Sequence, residues 1–288
     1  MVDRVGDERA VDGSSRDGET FFADLALAQR LEAADACFKV AYVEAQASLR
    51  PERGAALMAA AGGYAAYAGP GSPLNQAVGL GMDGPANADE LERVDDFFHS
   101  RGSPAWVEVC PLAHPSLAAW LNRKGYRLGG FKHVWVRPLR GKESFPPPAP
   151  GVEVAAASPQ DAERWARTVA QGFLERDDVD AGDLEIPMPS FHMSTAACFL
   201  AWVGAEAAGG GAMATCRGLA SFFSASTRRA FRGQGVQTAL LYARLAAALW
   251  AGCDLAMVHT TPGSASQRNV ERLGFRLAYT KVALAREA

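Results

Sequence analysis

The chain of 288 residues predicts an α/β protein of two domains. Three observations carry that reading. Short apolar runs of strand length alternate with longer helical patterns along most of the sequence. The stretch GKESFPPPAPG, residues 141–151, breaks the alternation with prolines that forbid a helix or a central strand. Residues 219–250 run from an apolar strand through an arginine and two glycines directly into a long apolar helix.

The first 20 residues are charged and lack an apolar core, which predicts a disordered leader rather than a signal peptide. The first domain, 21–140, opens with a helix over roughly 20–49. Residues 64–69 and 75–81 read as strands around a Pro-Gly-Ser-Pro turn. Residues 87–102 form an amphipathic helix, with Leu91, Val94, Phe97 and Phe98 on one face and Asn87 as N-cap. A strand at 104–111 follows, then a helix stopped at Gly125, then a strand to 139.

After the linker 141–151, the second domain, 152–288, starts with a strand at 152–158. A helix at 159–174 is capped by Ser158 and has Pro159 at its first position. Residues 174–190 are an acidic, proline-containing connection suited to the substrate side. Strands follow at 198–204, 210–216 and 219–227, the last leading to the glycines. A buried strand at 254–260, a short helix and a final strand complete the chain.

Composition excludes several classes of function. A net charge of −3 with no Lys/Arg cluster argues against a nucleic-acid partner. No apolar run approaches the roughly 20 residues of a membrane helix, so no membrane partner is expected. Five cysteines, Cys37, Cys110, Cys198, Cys216 and Cys253, are scattered without a CxxC pair. They predict reduced, packed thiols in a cytoplasmic protein and no metal site.

The glycine pair has a physical purpose. Glycine lets backbone N–H groups approach a ligand closely, and the following helix aims its unpaired first-turn N–H groups and positive dipole end at the same place. Such a junction suits a phosphate or pyrophosphate, with Arg232 as a fixed cation beside it. The nucleotide P-loop fails here, because Val236 and Gln237 stand where Lys-Ser/Thr is needed. The dinucleotide fingerprint lacks its third glycine, since residue 238 is Thr.

The run Arg232-Gly233-Gln234-Gly235-Val236-Gln237 resembles the pyrophosphate loop of the GNAT acetyltransferase superfamily, Arg/Gln-x-x-Gly-x-Gly/Ala, departing only at Gln237. Leu273-Gly274-Phe275 stands where GNAT proteins carry Leu-Gly-Phe after their last helix. The resemblance covers roughly 152–286. Leu121, Gly125 and Tyr126 echo that ending, so the first half resembles a GNAT domain as well. Its loop, 79–91, carries Asp83, Asp89 and Glu90 and no arginine, and is read as degenerate for coenzyme A.

The resemblance implies two GNAT-like domains, each a mixed, mostly antiparallel sheet flanked by helices. It implies acetyl-CoA as cofactor, with its pyrophosphate on Arg232, Gly233, Gln234, Gly235, Val236, Gln237 and Thr238. The pantetheine arm would run along a splayed strand at Ser224, Ala225, Ser226 and Thr227. The family's usual acid, a tyrosine, falls at Val270, and its usual asparagine at Gly263, leaving Ser264, Ser266 or Asn269 as coenzyme contacts. His259, at a strand end beside the splay, suits a general base by its ordinary pKa near 6.5, with Glu175 and Glu206 as other candidates. The expected activity is direct transfer of acetyl from acetyl-CoA to an amine of a small molecule or peptide. The alternative is a non-catalytic module that binds or senses acyl-CoA.

Overall fold

A computed structural model describes residues 22–141 and 143–287. The expected leader, 1–20, lies outside the described residues. The elements run α1 (Leu25–Leu49), β1 (Ala56–Ala60), β2 (Gly63–Tyr67), β3 (Gln76–Val78), α2 (Ala88–His99), β4 (Ala105–Val109), α3 (Pro115–Arg123) and β5 (Arg127–Pro138). The second half adds β6 (Val152–Ala156), α4 (Ala162–Leu174), α5 (Pro187–His192), β7 (Ala196–Val203), β8 (Glu206–Cys216), β9 (Leu219–Thr227), α6 (Val236–Trp250), β10 (Leu255–Thr260), α7 (Ala265–Arg272) and β11 (Arg276–Arg286).

Local chemistry explains the helix starts. Asn87 accepts a hydrogen bond from the Asp89 N–H and begins α2. Ser158 and Asp161 form a reciprocal capping box in a single 3-10 turn that opens α4. Two elements escape the sequence patterns. Strand β1 is hidden by its alanines, and it pairs with β2 through a tight turn in which Ala61 and Gly62 both have positive φ. Helix α5 begins inside the acidic connection and runs just past its end.

The two halves share one sheet. Its order is β1-β2-β3-β4-β11-β5-β10-β9-β8-β7-β6, and each half contributes one parallel pair, β3 with β4 and β9 with β10. The last strand of each half is exchanged. Strand β11 pairs with β4 of the first half, and β5 pairs with β10 of the second. Strands β5 and β11 also pair with each other over most of their length. The hydrophobic core is therefore continuous across the junction.

Alternation along the strands sorts the helices onto two faces. On β7, Phe199 and Ala201 pack with α6 residues such as Leu240 and Leu241, while Cys198 and Leu200 pack with α4 residues Trp165 and Val169. Helix α1 covers the sheet centre, where Leu31 meets Val134, Leu219 and Met257. The proline-rich connection is docked. Phe145 packs on Tyr242 of α6 with ring centroids 5.6 Å apart. One expectation is corrected here: Cys37 of α1 and Cys216 of β8 form a disulfide, leaving Cys110, Cys198 and Cys253 as free buried thiols. The fold brings the two together, their Cα atoms 6.6 Å apart, although 179 residues separate them in sequence.

Candidate active site

Strands β9 and β10 are in register from Leu219/Leu255 to Phe222/Val258, and the pairing ends there. Beyond that point β10 continues with β5 through His259 and Thr260, while β9 continues with β8. The two neighbours diverge and leave a gap. On β9 the register against β8 shifts between Phe223 and Ser226, and Ser224 holds a positive φ of 47°. Ser224 and Ala225 are thus the bulged residues at the opening. Ser226 is buried and donates to the Val169 carbonyl at 2.8 Å, which ties β9 to α4. Thr227 donates to Gln237 at 3.4 Å, linking the strand end to the start of α6.

The glycine loop lies at the N-terminus of α6, on the face opposite α4. Gly233 and Gly235 both have positive φ, 78° and 85°. A Cβ at Gly233 would meet nothing within 4 Å, so the loop backbone is open there. Gly235 is the N-cap, no side chain caps the helix, and its first turn carries no acidic residue. The N–H groups at Val236, Gln237 and Thr238 therefore open a helix whose positive end is uncompensated. Arg232 reaches Glu175 at 3.1 Å in an exposed pair, which costs little to exchange for a phosphate. Gln234 bonds back to the Ala230 carbonyl at 3.2 Å. These residues fit an anionic pyrophosphate. The equivalent turn of the first half does not, for its Leu80 and Met82 side chains are buried in the core and Asp89 and Glu90 occupy the first turn of α2.

On the α7 side, Ser264 is the N-cap and accepts from the Gln267 N–H at 3.2 Å. Asn269 is half-buried on the same helix. Val270, at the position of the usual tyrosine, is 1% exposed and packs into the core with Phe275.

A cavity of about 610 Å³ lies on the α1/α4/α5 face, with β9 and β10 as its floor. His259 and Ser224 line it, and Ser224 contacts Ser190 of α5 at 3.4 Å. The acidic connection contributes little free charge to it. Glu175 pairs with Arg232, Asp177 with Arg228, Asp183 with Arg176, and Glu185 with Arg50 and Arg53. Glu206 lies at the end of the Arg228 side chain on an exposed turn, away from the cavity.

Beside His259 the sheet centre holds a charged cluster that α1 covers. Lys281 of β11 reaches Asp35 at 2.6 Å and Glu32 at 2.8 Å. Lys132 of β5, directly opposite Lys281 in register, pairs with Glu108 of β4. Burial pushes the carboxylates up and prevails at Glu32, but the lysines outweigh it at the other two: Lys281 first among them holds Asp35 well below the carboxylate range, and Lys132 with Lys281 holds Glu108 down to about 2. Burial dominates for His259 and lowers its pKa to about 4, with Lys281 and Lys132 reinforcing and Asp35 opposing. Its Nε2 is buried and has no hydrogen-bond partner among the described residues. Tyr279 of β11 faces this core and donates to Glu32 at 2.8 Å.

Asp35, Lys39, Gln76 and Lys132 line the cavity and were not found by motif. A signal existed: Glu32, Asp35 and Lys39 recur along one stripe of an otherwise alanine-rich helix.

No family model matches the sequence, and no curated protein matches it. Solved structures do. An N-acetyltransferase related to GCN5 from Kribbella flavida is 21% identical over 85% of this chain and 95% of its own, with a TM-score of 0.58. A tandem GNAT protein from the clavulanic acid biosynthesis pathway is 16% identical over 77% of this chain and 73% of its own, at 0.53. A GCN5-related N-acetyltransferase from Sphaerobacter thermophilus is 17% identical over 69% and 65%, at 0.52. With its splayed strand pair, glycine loop and terminal helix–strand units, this chain has the tandem GNAT fold.

Proposed function

We propose that the protein is an N-acetyltransferase that takes acetyl from acetyl-CoA and gives it to an amine seated in the cavity. The carrying observation is the β9/β10 gap, which has the open glycine loop on one face of the sheet and the His259-lined cavity on the other. One coenzyme A would bind per chain, through Arg232 and the backbone from Gly233 to Thr238. Acetyl-CoA supplies the activated acyl group and a thiol leaving group. The bulge at Ser224–Ala225 breaks the pairing with β8, and strand N–H groups there would polarise the acyl carbonyl.

The chain's own residues then move one proton. As the amine nitrogen bonds to the acyl carbon and the carbon–sulfur bond breaks, the nitrogen sheds a proton that the departing thiolate finally takes. In this reading His259, which lines the cavity and is neutral above about pH 4, accepts it in passing. Val270 cannot serve as the acid, so solvent or the imidazolium returns the proton. A covalent route through cysteine finds no support, because none of the free thiols lines the cavity and burial raises Cys110 to about 11 and Cys198 to about 12.

The second reading, a module that binds acyl-CoA without turnover, is favoured by Val270 alone. Acetyl-CoA should raise the melting temperature, and Gly235→Asp should remove that shift by adding bulk against Ala149 and a negative charge. Thiol release with an amine panel separates the readings. A thermal shift without turnover on any amine leaves the sensor, and no shift at all sinks both.

A further inference from the structure

The cavity is unequal along its length. Phe173, Leu174 and Ile186 stand at its mouth with 61%, 46% and 50% of their surfaces exposed, and Phe38 and Phe223 continue the apolar wall inward. Large apolar side chains left open around a cavity of this size mark a surface that an apolar ligand covers.

The first-half wall is different. Lys39 is 3% exposed and lines the cavity. Its ammonium donates to the Gln76 amide oxygen at 2.7 Å. No carboxylate among the described residues forms an ion pair with it, whereas the neighbouring Lys281 has three and Lys132 one. An ammonium has three protons to donate, and a buried cation without a counter-charge is costly. Burial lowers Lys39 to about 8, with Glu108 and Asp35 pulling it back up at longer range, and it stays charged at neutral pH. The other lining charges are committed: Asp35 to Lys281, Asp183 to Arg176 and Lys132 to Glu108. Among the described lining residues Lys39 is therefore the cation with no carboxylate in direct contact, and an anion in the cavity would complete it. Nothing in the cavity offers a spare carboxylate to a second cationic group on the ligand.

We propose that the acceptor is an amine with an apolar body and a carboxylate, of the size of an aromatic or branched aliphatic amino acid, whose carboxylate is received by the Lys39 ammonium beside Gln76. This assignment rests on the acetyl-acceptor reading of the cavity. The apolar body lies against Phe38, Phe173, Ile186 and Phe223, and the amine faces the β9/β10 gap and His259.

The test compares molecules that differ only in the carboxylate. Phenylalanine is set against phenethylamine and leucine against 3-methylbutylamine, with acetyl-CoA, by thiol release from the full-length protein. Independently, N-acetylphenylalanine and N-acetylphenethylamine are titrated into the protein by calorimetry with no acyl-CoA present. The carboxylated member should be favoured by about tenfold or more in kcat/KM and in affinity, the range of a charge-assisted hydrogen bond. In Lys39→Met and Lys39→Gln the preference should shrink toward unity while the decarboxylated member changes by less than about threefold. Equal treatment of each pair, preference for the decarboxylated member, or binding of neither overturns the assignment. The wild-type ratio decides this even if both variants misfold. Turnover of both members at equal rates keeps the transferase and removes the carboxylate site. Binding of N-acetylphenylalanine that depends on Lys39, without any turnover, does the reverse.

Discussion

The Lys281 ammonium lies 2.6 Å from the Asp35 carboxylate, joining the last strand to the first helix across 246 residues. Lys281 is 1% exposed and Asp35 5%, and Glu32 and Glu108 stand on the same lysine. Strand exchange makes the contact possible, since β11 inserts between β4 and β5 under α1. The cluster therefore fastens the two halves together at the floor of the cavity wall.

Removing the lysine should be costly. Lys281→Met leaves buried carboxylates with too little counter-charge, and a loss of about 3–5 kcal/mol is expected from urea unfolding. A loss under about 1 kcal/mol would show that the cluster relaxes or takes up protons at little cost.

The pH dependence of stability follows from His259. Its folded pKa, about 4, is below the unfolded 6.5, so between those values the unfolded chain binds more protons. Stability is full above 6.5 and falls as pH drops toward 4. Asp35 and Glu108, also held low, add their own loss only below the ordinary carboxylate range. His259→Gln should flatten the decline between pH 7 and 5 by about 1–2 kcal/mol, read from urea midpoints at each pH. An unchanged slope would mean that His259 is not buried as a neutral base.

Gly172 carries a prediction of reversed sign. An exposed helix glycine replaced by alanine usually gains stability. Here a Cβ would lie 2.3 Å from Ser226 Oγ and 3.0 Å from the Thr227 nitrogen. Gly172→Ala should instead lose about 1–3 kcal/mol and weaken acetyl-CoA binding by pushing β9 at the bulge. A thermal melt with and without acetyl-CoA reads both effects, and a stabilised variant would contradict the packing.

Stoichiometry tests the division between the halves. The buried Leu80 and Met82 and the acidic first turn of α2 leave no room or charge for a pyrophosphate in the first half. Calorimetric titration with coenzyme A should give one site per chain. Two sites would overturn the reading of the first loop as degenerate.

The sequence by itself determined the features that are local. Gly233 and Gly235 announced a positive-φ turn into a helix because that backbone calls for glycine whatever surrounds it. Asn87 and Ser158 announced helix starts for the same reason, and Leu273-Gly274-Phe275 marked the last helix–strand unit. Strand β1 stayed hidden because Ala-Leu-Met-Ala-Ala is apolar throughout and lacks the alternation that marks a strand, and only pairing with β2 selects it. The tertiary structure alone decided what depends on distant partners. It exchanged β5 and β11, spent the acidic connection on arginines rather than on the cavity, and joined Cys37 to Cys216. It also set Lys39 as a buried cation lining the cavity and kept His259 an uncharged imidazole at neutral pH. Charge in a folded protein takes its meaning from burial and from neighbours hundreds of residues away, and neither is written in the spacing of a single segment.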